Sequence, residues 1–190
     1  MPSGSYLLIA SQLDSIISMP RSQFPEMECP IARSMAQIGD SWRILILRDV
    51  LQGFRRFDDF EANLGIAPNI LTRRLASLVA DGLLERRRYQ RRPPRYEYVP
   101  TDKAWELWPL IIMLIRWGTR WLSPDGATVE MVGRATGRRI DPAMLDRATR
   151  QIIGPKDVVL RPGPAAGAET LGRQERLRRV RGPLDAAEQI

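Results

Sequence analysis

The chain has 190 residues, enough for one well-packed core and a small appendage, and its formal charge of +7 suits a polyanionic partner. It contains no histidine and a single cysteine, Cys29, which excludes His-based metal sites, Ser-His catalysis and an internal disulfide framework. One thiol and no disulfide favour a reducing compartment.

Residues 1–28 carry a net charge of −2 and show no sustained periodicity, so they read as a poorly ordered extension, with Met19 as a candidate translation start. The run LLIASQLDSIISM at 7–19 contains Asp14 and follows no basic segment. It makes a poor signal peptide and is too short to span a membrane, so a cytoplasmic location is expected. From Cys29 the pattern sharpens. CPIARSMAQIGD predicts a short helix with Ile31, Met35 and Ile38 on one face, and Asp40 or Ser41 can cap the next helix. That helix, WRILILRDVLQG, presents Ile44, Leu45, Leu47, Val50 and Leu51 as a broad apolar face, as a central buried helix would.

FRRFDDFEANLG follows, with Phe57, Phe60 and Leu64 at helical spacing and Gly65 as its stop. IAPNILTRRLASLVADG then places Pro68 at a first helical position, turns Leu71, Leu75, Leu78 and Val79 inward, and leaves Asn69, Thr72, Arg73 and Ala76 on the other side. Two helices joined by GIAP make a helix-turn-helix. Next comes RRRYQRRPPR at 86–95, with six arginines and no acid, between a segment ending DGLLE and the alternating run RYEYVPT. Two strands around Pro93-Pro94 would form a hairpin with a cationic tip, which beside a helix-turn-helix is a DNA-binding wing. The basic excess is concentrated here: residues 29–122 net +6 and residues 123–190 net +3.

Thr101 can cap a long helix, DKAWELWPLIIMLIRWGTRWL, apolar on almost every side and about 30 Å long at 1.5 Å per residue. Glu106, Arg116 and Arg120 interrupt it and Pro109 kinks it, which argues against a membrane span and for a dimer interface. Trp105, Trp108, Ile112, Ile115 and Trp117 are the expected interface residues, helped by the Cys29–Ile38 helix. Residues 123–160 are rich in β-branched residues, Gly and Pro, with Arg134-Ala135-Thr136-Gly137 echoed by Arg147-Ala148-Thr149-Arg150. They read as two small hairpins or knuckles. Residues 161–190 read as a basic, mostly disordered tail with a helical turn near Glu175–Val180. The fold class expected is mainly α (α+β): a winged helix-turn-helix, a long C-terminal dimerisation helix and a β-rich appendage.

The segment Cys29–Leu122 resembles the HxlR-type winged helix-turn-helix transcription regulators, relatives of the MarR group. The resemblance is carried, in order, by Cys-Pro, Gly-x-x-Trp followed by ILILR, RRFxxF, GIxPxxLTxRLxxLxxxGLLER, PPRxEYxxT and a final helix ending WGxxWL. It implies a homodimeric, sequence-specific DNA-binding regulator, a repressor by expectation, acting on a two-fold related operator in double-stranded DNA. Many relatives carry Ser before the helix proline, where this chain has Ala67, so about 1 kcal/mol of capping is expected to be missing. In longer relatives the region after the last helix bears a cysteine ribbon. Here Thr136-Gly137 and Thr149-Arg150 stand in those places, so no zinc and no other cofactor is expected.

The expected DNA contacts are Arg91 and Arg92 at the wing tip for the minor groove, Arg95 for an adjacent phosphate, and Asn69, Thr72 and Arg73 for the major groove. Asn69 can instead serve the helix N-terminus, and Arg74 is more at home in an ion pair. In some members of the group the cysteine at this position senses oxidants or electrophiles. As an N-cap residue, Cys29 would sit where a helix dipole favours thiolate, although a small buried residue is the plainer role. A small-molecule effector or an oxidant is therefore an expected partner. Two rival readings are a winged-helix protein-interaction module, which does not require an arginine-rich wing, and an enzyme. Without histidine, a Gly-rich phosphate loop or paired carboxylates, nothing supports the second.

Overall fold

The structure, a computed structural model, describes residues 21–181. The Met19 start, most of the N-terminal extension and the last nine residues of the tail lie outside the described residues. The chain divides into two units. One is Trp42–Leu160, and the other combines residues up to Ser41 with those from Arg161 onward.

In the larger unit, helix α2 (Ser41–Gln52) follows helix α1 (Pro30–Ile38) of the smaller one. Ile46, Leu47, Val50 and Leu51 of α2 are buried, as a central helix requires. Gly53, at φ 117°, turns the chain away. Helix α3 (Phe57–Leu64) buries Phe60 and stops at Gly65, whose φ of 59° is the left-handed conformation of a glycine C-cap. Helix α4 (Pro68–Ala80) buries Leu71, Leu75 and Leu78, one residue per turn, and so fixes which side faces outward. Strands β1 (Leu84–Gln90) and β2 (Arg95–Pro100) pair antiparallel, Leu84 opposite Pro100 and Arg88 opposite Tyr96, with a register shift between Arg88 and Gln90. Residues 54–56 enter this sheet as a third, very short member. Arg56 bridges Glu97, and the Tyr98 N–H donates to the Arg55 carbonyl at 2.8 Å. The sequence pattern places these residues at the start of a helix instead. A single bridge is too short to leave a period-2 signature.

The single long helix expected after Thr101 is broken in two, α5 (Asp102–Trp105) and α6 (Trp108–Leu122). Pro109 stands in the first turn of α6, where its missing N–H and fixed φ suit a helix start better than a helix interior. The kink expected at Pro109 is thus a full interruption, three residues earlier.

Residues 131–153 form the two knuckles expected from the repeat. Isolated bridges join Val132 to Arg139 and Leu145 to Ile152. Their main-chain bonds match pair by pair: Gly137 N–H to Gly133 O at 2.7 Å and Arg150 N–H to Asp146 O at 2.8 Å; Ile140 N–H to Met131 O at 2.8 Å and Ile153 N–H to Met144 O at 3.0 Å. Gly137 and Arg150 both take left-handed φ, 64° and 61°. Oxygen atoms brace the turns. The Asp146 carboxylate accepts from the Ala148 N–H at 3.0 Å and the Thr149 hydroxyl at 2.8 Å. The described residues contain no cluster of three or more His, Cys, Asp or Glu placed to hold a metal ion.

The smaller unit corrects the expected tail. In place of one helical turn near Glu175–Val180, helix α7 runs Ala168–Arg181. It lacks an apolar stripe, so periodicity could not reveal it. Its N-terminus is held from a distance: the Glu28 carboxylate accepts from the N–H groups of Gly167 at 3.1 Å and Thr170 at 3.0 Å, and the Glu28 N–H donates to Glu169 at 3.0 Å. These bonds keep the Glu28 carboxyl below its ordinary pKa, the Thr170 N–H first among the causes. Among the described residues, no helix is long and apolar enough to cross a membrane.

Candidate nucleic-acid interface

Helix α4 carries Asn69, Thr72 and Arg73 on its exposed side, opposite the buried Leu71 and Leu75. Its N-cap, Ala67, makes no side-chain hydrogen bond, as expected of alanine. Asn69 partly compensates. Its Oδ1 accepts from the Ile70 N–H at 2.8 Å, within the group of helix-end N–H donors that a capping oxygen would serve. The amide NH₂ stays available as a donor. The Thr72 hydroxyl donates back to the Pro68 carbonyl at 2.8 Å, leaving its oxygen able to accept. Arg73 is exposed, and its side chain makes no hydrogen bond or ion pair among the described residues.

The wing arginines divide into two groups. The Arg86 guanidinium lies 3.5 Å from the centroid of the Tyr96 ring, and Arg87 is paired with Glu85 at 2.6 Å. At the tip, the peptide before Pro93 is cis, and Arg91, Arg92 and Arg95 are exposed. Their guanidiniums make no hydrogen bond or ion pair among the described residues. Along β1, Arg87 alone has an acidic partner and Arg86 packs on a ring, while Arg88 and the tip cations keep open guanidiniums among the described residues. One cation at the wing has little trace in the sequence. Arg56 lies over the Tyr89 ring at 5.0 Å, brought there by the short bridge to Glu97. Its only sequence signal is a second arginine before Phe57.

The scaffold fixes this surface through polar bonds among α2, α3, α4 and α5. Buried Arg43 of α2 bonds Asp81 at the C-terminal end of α4. Asp49, 1% exposed, accepts from Asn63 of α3 at 2.7 Å and from Arg48 at 2.9 Å. The Thr101 hydroxyl donates to the Gly82 carbonyl at 2.8 Å and accepts from the Ala104 N–H, tying the end of α4 to the start of α5. These bonds tie α2 to α3 and α4, and the end of α4 to the start of α5.

Residues 37–126 match the family model of the HxlR-like helix-turn-helix. An uncharacterised HTH-type transcriptional regulator of Mycobacterium tuberculosis is 33% identical over 140 residues, which cover 73% of this chain and 89% of that protein. The chain belongs to the HxlR-like helix-turn-helix family. Its regulators share the segment that holds the helix-turn-helix and wing described above, and the chain is accordingly a DNA-binding transcription regulator of this type. Among solved structures, a candidate transcription factor from Pseudomonas aeruginosa is 45% identical, with a TM-score of 0.57, over 76% of this chain and 99% of its own. A second candidate transcription factor is 31% identical, with a TM-score of 0.67, over 75% of this chain and 99% of its own.

In this HxlR-like chain, helix α6 leaves much of its apolar surface uncovered. Leu110, Leu114, Trp117 and Trp121 are 40%, 45%, 55% and 65% exposed and recur at helical spacing as one stripe. Of the residues expected at a dimer interface, Trp105, Trp108 and Trp117 are exposed, whereas Ile112 and Ile115 are half-buried and line a crevice toward residues 129–132. Cys29 is the N-cap residue of α1, half-buried and without a side-chain capping bond.

Proposed function

We propose that the chain is a homodimeric repressor that reads a two-fold related operator. Asn69, Thr72 and Arg73 would enter the major groove, and Arg91, Arg92 and Arg95 would meet the flanking minor groove and phosphates. The observation that carries this reading is the division of the wing charges. Arg86 and Arg87 have intramolecular partners, while Arg88 and the tip cations have none among the described residues, and the same unit carries an exposed polar face on α4. An interaction module has no use for such uncompensated charge, whereas a phosphate backbone does.

The dimer reading is supported by the exposed Leu110–Leu114–Trp117–Trp121 stripe, which a second copy would cover. Half-sites would then lie about one helical turn apart. The test is selection of bound sequences from a random duplex library, followed by affinity measurements over a salt series. A palindromic consensus with a steep negative salt slope is expected. Enrichment of no sequence would overturn the reading.

Cys29 supports a second reading, in which the regulator responds to an oxidant or electrophile, because the thiol stands at a helix N-terminus. Under it, diamide weakens DNA binding by the natural chain and leaves Cys29→Ser unaffected.

A further inference from the structure

Helix α6 and the segment that begins the appendage border two adjoining, half-open cavities of about 500 and 530 Å³, within the ordinary size range of small-molecule sites. Val129, Glu130, Met131 and Ile140 line both, so together they form one crevice with two chemically different ends. The first end is apolar, walled by Trp108, Ile112 and Ile115 of α6 and by Val132. The second is lined by Arg116, Arg120 and Arg139, with Asp141 and Glu130 as its acids. Arg116 is committed to Asp141 at 2.7 Å. Arg120 stacks on Trp121 at 5.3 Å, and neither it nor Arg139 forms a salt bridge among the described residues.

Three guanidiniums against two carboxylates leave an uncompensated positive charge at one end of an apolar slot. Neither a neutral hydrocarbon nor a simple anion uses both ends. We infer that this crevice binds an amphipathic monocarboxylate, with its hydrocarbon body against Trp108, Ile112, Ile115 and Val132 and its carboxylate toward Arg120 and Arg139. The position gives the ligand leverage. The same helix bears the apolar stripe on its other side, so a ligand wedged against Ile112 and Ile115 bears on the element proposed to set dimer geometry. That regulatory consequence rests on the function proposed above; the binding site itself does not.

The test is calorimetric titration of the full chain with decanoate and, as the neutral counterpart, decanol. One decanoate per chain is expected, bound at least tenfold more tightly than decanol. Arg120→Gln with Arg139→Gln should remove that preference and leave decanol affinity unchanged. Ile115→Asp should abolish binding of both. Because a charge at that half-buried position can also disturb folding, Val132→Ser, at an exposed rim position, serves as the milder probe and should weaken both ligands by at least threefold. Circular dichroism melting verifies the fold of each variant. Absence of saturable decanoate binding, equal affinity for acid and alcohol, or variants that bind like the natural chain would each overturn the assignment. No DNA is present in the titration, so its failure leaves the DNA-binding reading intact, and failed DNA binding leaves the site intact.

Discussion

Arg86 rests on the Tyr96 ring, guanidinium carbon to centroid 3.5 Å, and this places one of the wing's six arginines in the service of the hairpin itself. An exposed cation–π contact of this kind contributes about 0.5–1 kcal/mol. Arg86→Ala should therefore lower thermal stability slightly and leave the salt dependence of DNA binding nearly unchanged. Arg91→Ala with Arg92→Ala should do the reverse: unchanged melting, weaker binding to all sequences, and a slope shallower by about 1 for each phosphate no longer neutralised. Fluorescence anisotropy over a salt series separates the two. A larger drop in affinity from Arg86→Ala than from the tip pair would reverse the assignment.

Arg73 is expected to act on sequence preference. Arg73→Ala should cost about 1–3 kcal/mol on the preferred operator and much less on unrelated duplexes, because a bidentate guanine contact discriminates where phosphate contacts do not. Repeating the library selection with the variant checks this. An unaltered consensus would return Arg73 to the phosphate backbone.

The Leu110–Leu114–Trp117–Trp121 stripe predicts oligomeric state. Leu114→Glu or Trp117→Glu puts a charge into the surface a second copy would cover, and sedimentation should then show monomers. Ile112→Glu, by contrast, alters the crevice toward residues 129–132. A dimer unaffected by Trp117→Glu would move the interface elsewhere.

Glu28 sets a pH dependence in the smaller unit. Its pKa is lowered in the folded chain, chiefly by the bond from the Thr170 N–H, so its contribution is full above the ordinary carboxylate value. That contribution fades as the pH falls through the lowered one. Protection of the Gly167 and Thr170 amides, taken relative to the intrinsic exchange rate at each pH, should fall over that acidic range in the natural chain. In Glu28→Gln that protection should be lower at neutral pH and nearly independent of pH. Gly167→Ala should loosen the same contact, since a Cβ at Gly167 would collide with the Glu28 carboxylate.

Arg150 holds a left-handed φ of 61° where the matching position of the first knuckle has glycine. Arg150→Gly should relieve about 1 kcal/mol of backbone strain, offset in part by greater freedom of the unfolded chain. Slower amide exchange across Asp146–Ile153 is the expected sign.

The winged core was legible because each element carries its own punctuation. Gly65 and Gly82 stop two helices, Pro68 starts one, and Leu71, Leu75 and Leu78 repeat with the helical period. The paired knuckles were legible from the repeat itself. Three features were not. Two arginines next to a helix gave no sign that Arg55 and Arg56 would pair with a strand. Pro109 marked a disturbance, but propensity alone could not say whether it would bend the helix or end it. Helix α7 has no apolar face, and its anchor, Glu28, is distant in sequence. At the candidate site, residue types suggested which side chains face outward. Arg87 pairs with Glu85 on its own strand, but the ring under Arg86 depended on the register of β1 with β2.

In the two knuckles, every bond that closes the bridges runs between main-chain atoms, and the corresponding residues lie thirteen positions apart. Glycine stands at the head of one and arginine at the head of the other, yet both heads close alike. The contour is thus written in the backbone and in a threonine hydroxyl that accepts the same bond in both copies, while the residue at the head differs. Such a module tolerates a change at its head without being refolded, as a fitting does whose thread is standard and whose head is not.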